Sequence, residues 1–361
     1  MPAPRERVLI AMSGGVDSSV AAALLREQGH DLVGVTLHLW DAEGQDKVGR
    51  CCAPEDRDDA RRTCEALSIP HYVIDERSAF RTTVVEPFVR GYRDGTTPSP
   101  CVACNQEVKL GRLAELADAL GCARIATGHY ARITHEPSGE PVLWRGRDRG
   151  KDQSYFLHGV PRAVLARMLF PLGELEKSQT RSEGQRLGVP NWAKKDSQEL
   201  CFVPDGDVGG FVSRHAEGKP RAGRVVGPTG EALGEHAGIH HFTVGQRRGL
   251  GLGGGPSRYV LRILPETAEV VVGSDADLLE GEVQVAEARW LGEAPREPFD
   301  ALVQIRYRHV AVPARVVPSG EGFVARFEAP QRAVAPGQAA VVFAGERVLG
   351  GGTIVRGARP S

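Results

Sequence analysis

Two groups of residues in this chain have types and spacing suited to chemistry. The first is Ser13-Gly14-Gly15-Val16-Asp17-Ser18-Ser19, set between an apolar run at 8–12 and a helix-like run at 20–25. A strand, a glycine turn and a helix start make an anion cradle. Gly14 and Gly15 permit backbone conformations closed to larger residues, so N–H groups and the Ser13, Ser18 and Ser19 hydroxyls can converge at the helix N-terminus. The spacing matches neither the lysine-bearing Walker loop nor the Gly-x-Gly-x-x-Gly dinucleotide turn, and the anion expected is a pyrophosphate. The bland alternative is a serine-capped strand-to-helix turn. The second group is three cysteines. Cys101-Val102-Ala103-Cys104 follows Thr97-Pro98-Ser99-Pro100 and leads into a helix-like run. That places two thiols near a helix N-terminus, where the dipole and unsatisfied N–H groups favour thiolate. Cys201 lies far along the chain, in Asp196-Ser197-Gln198-Glu199-Leu200-Cys201-Phe202. A lone Cys-x-x-Cys serves zinc, redox exchange or cluster binding, although structural zinc wants a second such pair, which this chain lacks. Cys64 and Cys122 fall on apolar faces and read as structural; the adjacent Cys51 and Cys52 are poorly shaped to complete a site with Cys101 and Cys104.

Elements that position these residues follow from the apolar pattern. Strands at 31–39, 72–74 and 123–127 alternate with helices at 55–67, 79–92 and 105–120, which implies an α/β fold with a doubly wound parallel sheet. Ligands of such sheets bind beyond the carboxyl ends of the strands. The 13–19 loop, Leu37 and Gly128-His129 all arrive there. Helices are expected at 162–169 and 177–187. From about residue 205 glycine becomes dense and helical periodicity disappears. Short strands at 224–226, 259–263, 269–272, 301–307, 322–327 and 339–343 suggest two small β-barrels. The expected domains are 1–205, with a helical part at about 160–190, then 206–280 and 281–361.

A chain of 361 residues exceeds what one core usually organises. Its net charge of −1 excludes a surface coated in basic residues, but local patches remain. Arg145, Arg147, Arg149 and Lys151 face only Asp148 in sequence, and basic pairs recur at Lys194-Lys195, Arg247-Arg248 and Arg306/Arg308. Such patches suit a polyanion held in one orientation. Seven cysteines without an export signal argue against a disulfide framework, and a cytoplasmic location is the default. No apolar stretch approaches the roughly 20 residues of a membrane span.

The 13–19 loop resembles the SGGxDS loop of N-type ATP pyrophosphatases, which split ATP into AMP and pyrophosphate while adenylating a substrate. Further segments follow it in order: Cys101 to Cys104, Ala126-Thr127-Gly128-His129-Tyr130, Lys151-Asp152-Gln153-Ser154-Tyr155-Phe156-Leu157, the Cys201 segment, Thr243-Val244-Gly245-Gln246-Arg247-Arg248-Gly249-Leu250-Gly251 and Gln304-Ile305-Arg306-Tyr307-Arg308. Together they make the chain similar to the tRNA-specific 2-thiouridylases over nearly its whole length. The resemblance implies ATP and Mg²⁺ as cofactors, tRNA with a wobble uridine as substrate, a persulfide-bearing relay protein as sulfur donor, and no membrane. It makes Cys104 the nucleophile and Cys201 the persulfide bearer. Ala11, Met12, Ser13, Gly14, Gly15, Val16, Asp17 and Ser18, with Leu37 and Gly128, match the ATP contacts, Asp17 doubling as a metal contact. Ser99, Pro100 and Cys101 would line the target base, while His129, Lys151, Asp152, Gln153, Arg306, Tyr307 and Gln338 match tRNA contacts. Charge supports phosphate contact at Lys151 and Arg306 independently; for Gln338 only the resemblance speaks. Many members carry Asp where this chain has Cys101. That departure opens an iron–sulfur alternative, with Cys101, Cys104 and Cys201 on three irons of a four-iron cluster, beside the route that ends in a Cys104–Cys201 disulfide. A pyrophosphatase that transfers nitrogen, needing neither Cys104 nor Cys201, is the other alternative.

Overall fold

The computed structural model describes residues 6–41, 54–196, 200–203, 205–253 and 255–355. Cys51 and Cys52 lie outside them. The chain divides into two compact units, one of residues 1–84, 101–206 and 346–348, the other of residues 85–100, 207–345 and 349–361.

In chain order the helices and strands up to residue 186 are β1 (Arg7–Ala11), α1 (Val16–Glu27), β2 (Asp31–His38), α2 (Pro54–Ala66), β3 (His71–Asp75), α3 (Arg77–Phe80), α4 (Glu86–Arg93), α5 (Pro100–Ala103), α6 (Leu110–Ala119), β4 (Arg124–Ala126), β5 (Ala131–His135), β6 (Pro141–Arg145), α7 (Arg162–Leu165), β7 (Met168–Leu169) and α8 (Lys177–Arg186). The first unit is built on a sheet of order β3-β2-β1-β4-β7, parallel throughout. Val8, Leu9 and Ile10 of β1 are wholly buried, as a central strand covered on both faces requires. Strand order reverses between β1 and β4, so the loops after those two strands open the crevice where ligands of such sheets bind. One helix expected from sequence is less regular. The 79–92 run is built as α3, a π-helical stretch Arg81–Val85 and α4. Pro87 has no N–H to give and its ring crowds the carbonyl four residues back, which the wider turn accommodates. The expected 162–169 helix stops at Leu165, and Met168–Leu169 becomes the fifth parallel strand. The β5–β6 hairpin has no counterpart in the sequence reading.

In the second unit, strands Gly223–Val226, Ala232–His236, Tyr259–Leu264 and Glu269–Gly273 form one sheet. Six strands from Leu279–Trp290 to Arg347–Val355 form another, closed by pairing of the first with the last. A helix, Val208–His215, stands where only β structure was expected. Asp207 caps it by accepting the Gly210 N–H at 2.8 Å. The expected 301–307 strand is Phe299–Gln304, which leaves Arg306, Tyr307 and Arg308 in a turn. Segment 85–100, placed by sequence within 1–205, groups with this unit: the Phe88 ring lies 6.3 Å from Phe211, and Gln338 Nε2 donates to Thr97 O at 2.7 Å. Among the described residues no helix is long and apolar enough to cross a membrane.

Candidate active site

The loop after β1 has the geometry of an anion cradle. Gly14 sits at φ +74°, and a Cβ there would lie 1.9 Å from the Asp56 carbonyl oxygen of α2, so only glycine fits. Ser13 N and Oγ each lie 3.1 Å from Ser18 Oγ, and Gly15 N donates to Ser13 Oγ at 3.4 Å. The Ser13 and Ser18 hydroxyls and the Ser13 and Gly15 amides thus cluster at the start of α1, with Ser18 Oγ also donating to Gly15 O at 3.1 Å. Ser19 is a correction. Wholly buried, its hydroxyl donates to Gly15 O and accepts from Thr63, so it braces the turn instead of facing an anion. Met12 and Val16 are buried in the core, while Ala11 and Leu37 are half-buried at the ends of β1 and β2. After β4, Gly128 passes so close to α1 that a Cβ would lie 2.7 Å from Asp17 C and Ser18 N.

Charged groups flank the loop on two sides. Asp17 Oδ1 accepts from Lys177 Nζ at 2.7 Å and from Tyr130 OH at 3.0 Å. Lys177 Nζ also lies 2.8 Å from Asp196, which takes Lys151 at 2.7 Å and Arg181 at 2.9 Å. Burial pushes the Asp196 carboxyl up, but hydrogen bonds from Lys151 and Lys177 outweigh it and hold the group below its usual range. Burial, then the Asp17 charge, keeps the Tyr130 hydroxyl protonated well above its usual range. Beside Gly14, the carbonyl oxygen accepts from Asn191 Nδ2 at 2.9 Å and Lys194 Nζ at 3.3 Å, and Lys194 also pairs with Asp56 and Asp59. Sequence reading missed Lys177 and Asn191, since neither lies in a recognisable pattern. Lys194 was visible only as half of a basic pair.

Cys101 lies in the first turn of the helical run that opens at Pro100, and Cys104 begins its π-helical stretch Cys104–Lys109. Cys104 is 4% exposed, Cys101 and Cys201 are half-buried, and all three are present as thiols. Asn105 Nδ2 ties back to the Cys101 carbonyl at 2.9 Å. The short helix α3 touches the 104–109 stretch and ends at Phe80, whose ring lies 5.7 Å from that of Phe202, the residue after Cys201. Trp40 completes the aromatic group, 6.4 Å from each. One helix therefore supports the segments carrying Cys104 and Cys201. Among the described residues no group of three or more His, Cys, Asp or Glu is placed to hold a metal. Cys104 is packed inside a helix, whereas Cys201 rides a turn anchored through Phe202. Cys64 and Cys122 are buried, and burial pushes the Cys64 thiol up to about 12.

The residues matched to tRNA contacts are placed less uniformly. His129 Nδ1 lies 2.8 Å from Thr127 Oγ1 with its ring edge-on to Phe170; burial and then Lys109 pull its pKa down to about 3, so it is neutral at ordinary pH. Asp152 accepts the Gly146 and Ser154 amides, and Gln153 Oε1 accepts the Tyr130 amide at 3.0 Å. Both turn inward and fix the segment after β6. The Arg145-to-Lys151 patch is less bare than it reads: Arg145 lies 3.8 Å from Asp152, Arg149 pairs with Glu346 and Lys151 with Asp196. Arg147 is exposed, with no ion pair among the described residues. In the second unit Arg306 donates to Ala333 O at 3.3 Å, and the Arg308 guanidinium lies over the Tyr307 ring. Gln338 holds the Thr97 carbonyl; Ser99 is half-buried and Pro100 buried.

Residues 6–205 match the family model described as tRNA methyl transferase HUP domain, 209–274 the tRNA methyl transferase PRC-barrel domain and 280–354 the aminomethyltransferase beta-barrel domain. The tRNA-specific 2-thiouridylase MnmA of Sorangium cellulosum (strain So ce56) is 49% identical over 360 residues, 98% of this chain and 93% of that protein. The protein of the same name from Chloroflexus aggregans (strain MD-66 / DSM 9485) is 48% identical over 352 residues, 97% of this chain and 98% of that protein.

Proposed function

The chain belongs to the tRNA-specific 2-thiouridylase family, and from that premise we propose that this sulfurtransferase uses ATP to replace the C2 oxygen of the wobble uridine in tRNA with sulfur. The observation that carries the reading is the shared support of two thiol segments by α3, in the same unit as the cradle at the sheet's switch point. A carbonyl oxygen is a poor leaving group, so the uridine C2 oxygen first attacks the α-phosphorus of ATP and pyrophosphate departs. Ser13, Gly14, Gly15 and Ser18 hold the phosphates. Asp17 fits a magnesium contact, since its Oδ2 accepts no hydrogen bond among the described residues. When bound, Mg²⁺ neutralises phosphate charge.

The second half uses a persulfide on Cys201, supplied by a relay protein. Cys104 thiolate attacks Cys201 Sγ, forming a Cys104–Cys201 disulfide and releasing the terminal sulfur as hydrosulfide. That sulfur bonds to C2, and AMP leaves with the original oxygen. The persulfide sulfur gains two electrons and the two cysteines lose them, so an external thiol must reduce the disulfide before the next turnover. His129, being neutral, contributes a hydrogen bond and not a charge. Arg147, Arg306 and Tyr307 are the candidate contacts for RNA phosphate and bases.

The test incubates the protein with ATP, Mg²⁺, a persulfide source and unmodified tRNA, then examines nucleosides by mass spectrometry. The wild type yields 2-thiouridine. Cys104→Ser and Cys201→Ser yield none while still releasing pyrophosphate. Full thiolation by either variant would overturn the assignment.

A further inference from the structure

The Gly14–Gly15 peptide is held from behind. Its carbonyl oxygen accepts from Asn191 Nδ2 at 2.9 Å and from Lys194 Nζ at 3.3 Å. A trans peptide points its N–H opposite to its C=O. With the carbonyl fixed on the Asn191 side, the Gly15 N–H is directed to the other face, where it meets Ser13 Oγ at 3.4 Å beside Ser18 Oγ. Within the loop the long Gly15 N–H contact to Ser13 Oγ favours the same orientation, and a Gly-Gly peptide can otherwise rotate between both faces at small cost.

Asn191 is 8% exposed, and its Oδ1 has no donor among the described residues, so its amide is committed to this one carbonyl. Exchanging its oxygen and nitrogen would set two acceptors face to face. Lys194 is itself fixed, paired with Asp56 and Asp59 on α2, and the Asp56 carbonyl closes over Gly14. The peptide is gripped between α2 and the 191–194 turn. We propose that Asn191 and Lys194 are positioning residues that aim the Gly15 N–H at the pyrophosphate portion of ATP. They act through the backbone, not by touching the nucleotide.

The inference rests on the ATP reading above, and one experiment separates the two. Full-length wild type, Asn191→Ala and Asn191→Asp are titrated with inorganic pyrophosphate and with ATP by calorimetry, and KM is measured for ATP and for tRNA. Losing the donor weakens pyrophosphate binding by about threefold to tenfold in Asn191→Ala, the worth of one hydrogen bond. Asn191→Asp weakens it further, because an acceptor then opposes the Gly14 carbonyl and turns the peptide over. In both variants KM for ATP rises, KM for tRNA holds and the thermal midpoint shifts equally. A merely structural asparagine would move both KM values together and would not rank aspartate below alanine. If wild type binds pyrophosphate and both variants match it within twofold, or if aspartate is tolerated better than alanine, the positioning role is overturned while the ATP reading survives. If wild type binds neither ATP nor pyrophosphate, the ATP reading falls and this inference with it.

Discussion

Lys177→Met keeps the aliphatic stem and removes the ammonium. That ammonium carries three donors. One points at Asp17, at 2.7 Å, and one at Asp196, at 2.8 Å, leaving the third for an oxygen of the incoming triphosphate. A hydrogen bond between charged partners contributes about 1.5–3 kcal/mol, equivalent to an increase of about 10- to 150-fold in KM for ATP. The fold loses less. Asp196 retains Lys151 and Arg181, Asp17 retains the Tyr130 hydroxyl, and the Asp17 side chain is 34% exposed, so solvent already screens that pair. Destabilisation of roughly 1–2 kcal/mol is expected. Pyrophosphate release is followed against ATP at saturating tRNA, with a urea melt of the same sample. A folded Lys177→Met whose KM for ATP stays within twofold of wild type would refute the argument that this cation serves the phosphates.

Gly14→Ala places a methyl 1.9 Å from the Asp56 carbonyl at φ +74°, so about 2 kcal/mol or more of stability is lost and calorimetry detects no ATP binding; a normal melt with normal binding contradicts the steric argument. His129 is held neutral, with its pKa lowered to about 3, so its contribution to stability is complete above about pH 6.5 and declines as pH falls toward 3. Urea midpoints at pH 7 and pH 4.5 should therefore diverge more in wild type than in His129→Phe, and equal divergence sinks the claim. Gln338→Ala removes the donor at Thr97 O. The Thr97 amide, bonded to Pro336 O, should then exchange faster by about tenfold, as loss of about one hydrogen bond implies. Thiolation should slow at unchanged KM for ATP; unaltered exchange counts against the clamp.

The parallel sheet and its loops were legible because β1 is an unbroken apolar run and α1 follows a glycine turn, signals contained within 20 residues or so of chain. Met168–Leu169 escaped because two residues cannot display a period. Val208–His215 escaped because Gly209 and Gly210 weaken helix propensity, and only the Asp207 cap marked its start. The cradle was readable, its braces were not. Asn191 lies 177 residues from Gly14 and Lys177 160 from Asp17, and a single amide or cation carries no spacing that betrays such a partner. The 145–151 patch misled for the same reason, since Glu346, which offsets Arg149, is 197 residues away.

Segment 85–100 belongs with residues made much later, and this imposes a timetable on synthesis. Phe88 and Tyr92 are nearly buried in the finished protein, with Phe88 against Phe211. At about 5–20 residues per second, the apolar face of α4 waits about 6–25 s for Phe211 to be made. The Thr97–Gln338 bond spans 241 residues and closes about 12–48 s after Thr97 is made. A nascent chain thus carries its 13–19 loop for much of its synthesis while the Thr97 carbonyl is still unheld. Ribosomes stalled just before residue 338 would display the 13–19 loop with both Cys104 and Cys201 already made, while Thr97 still waits for its Gln338 partner.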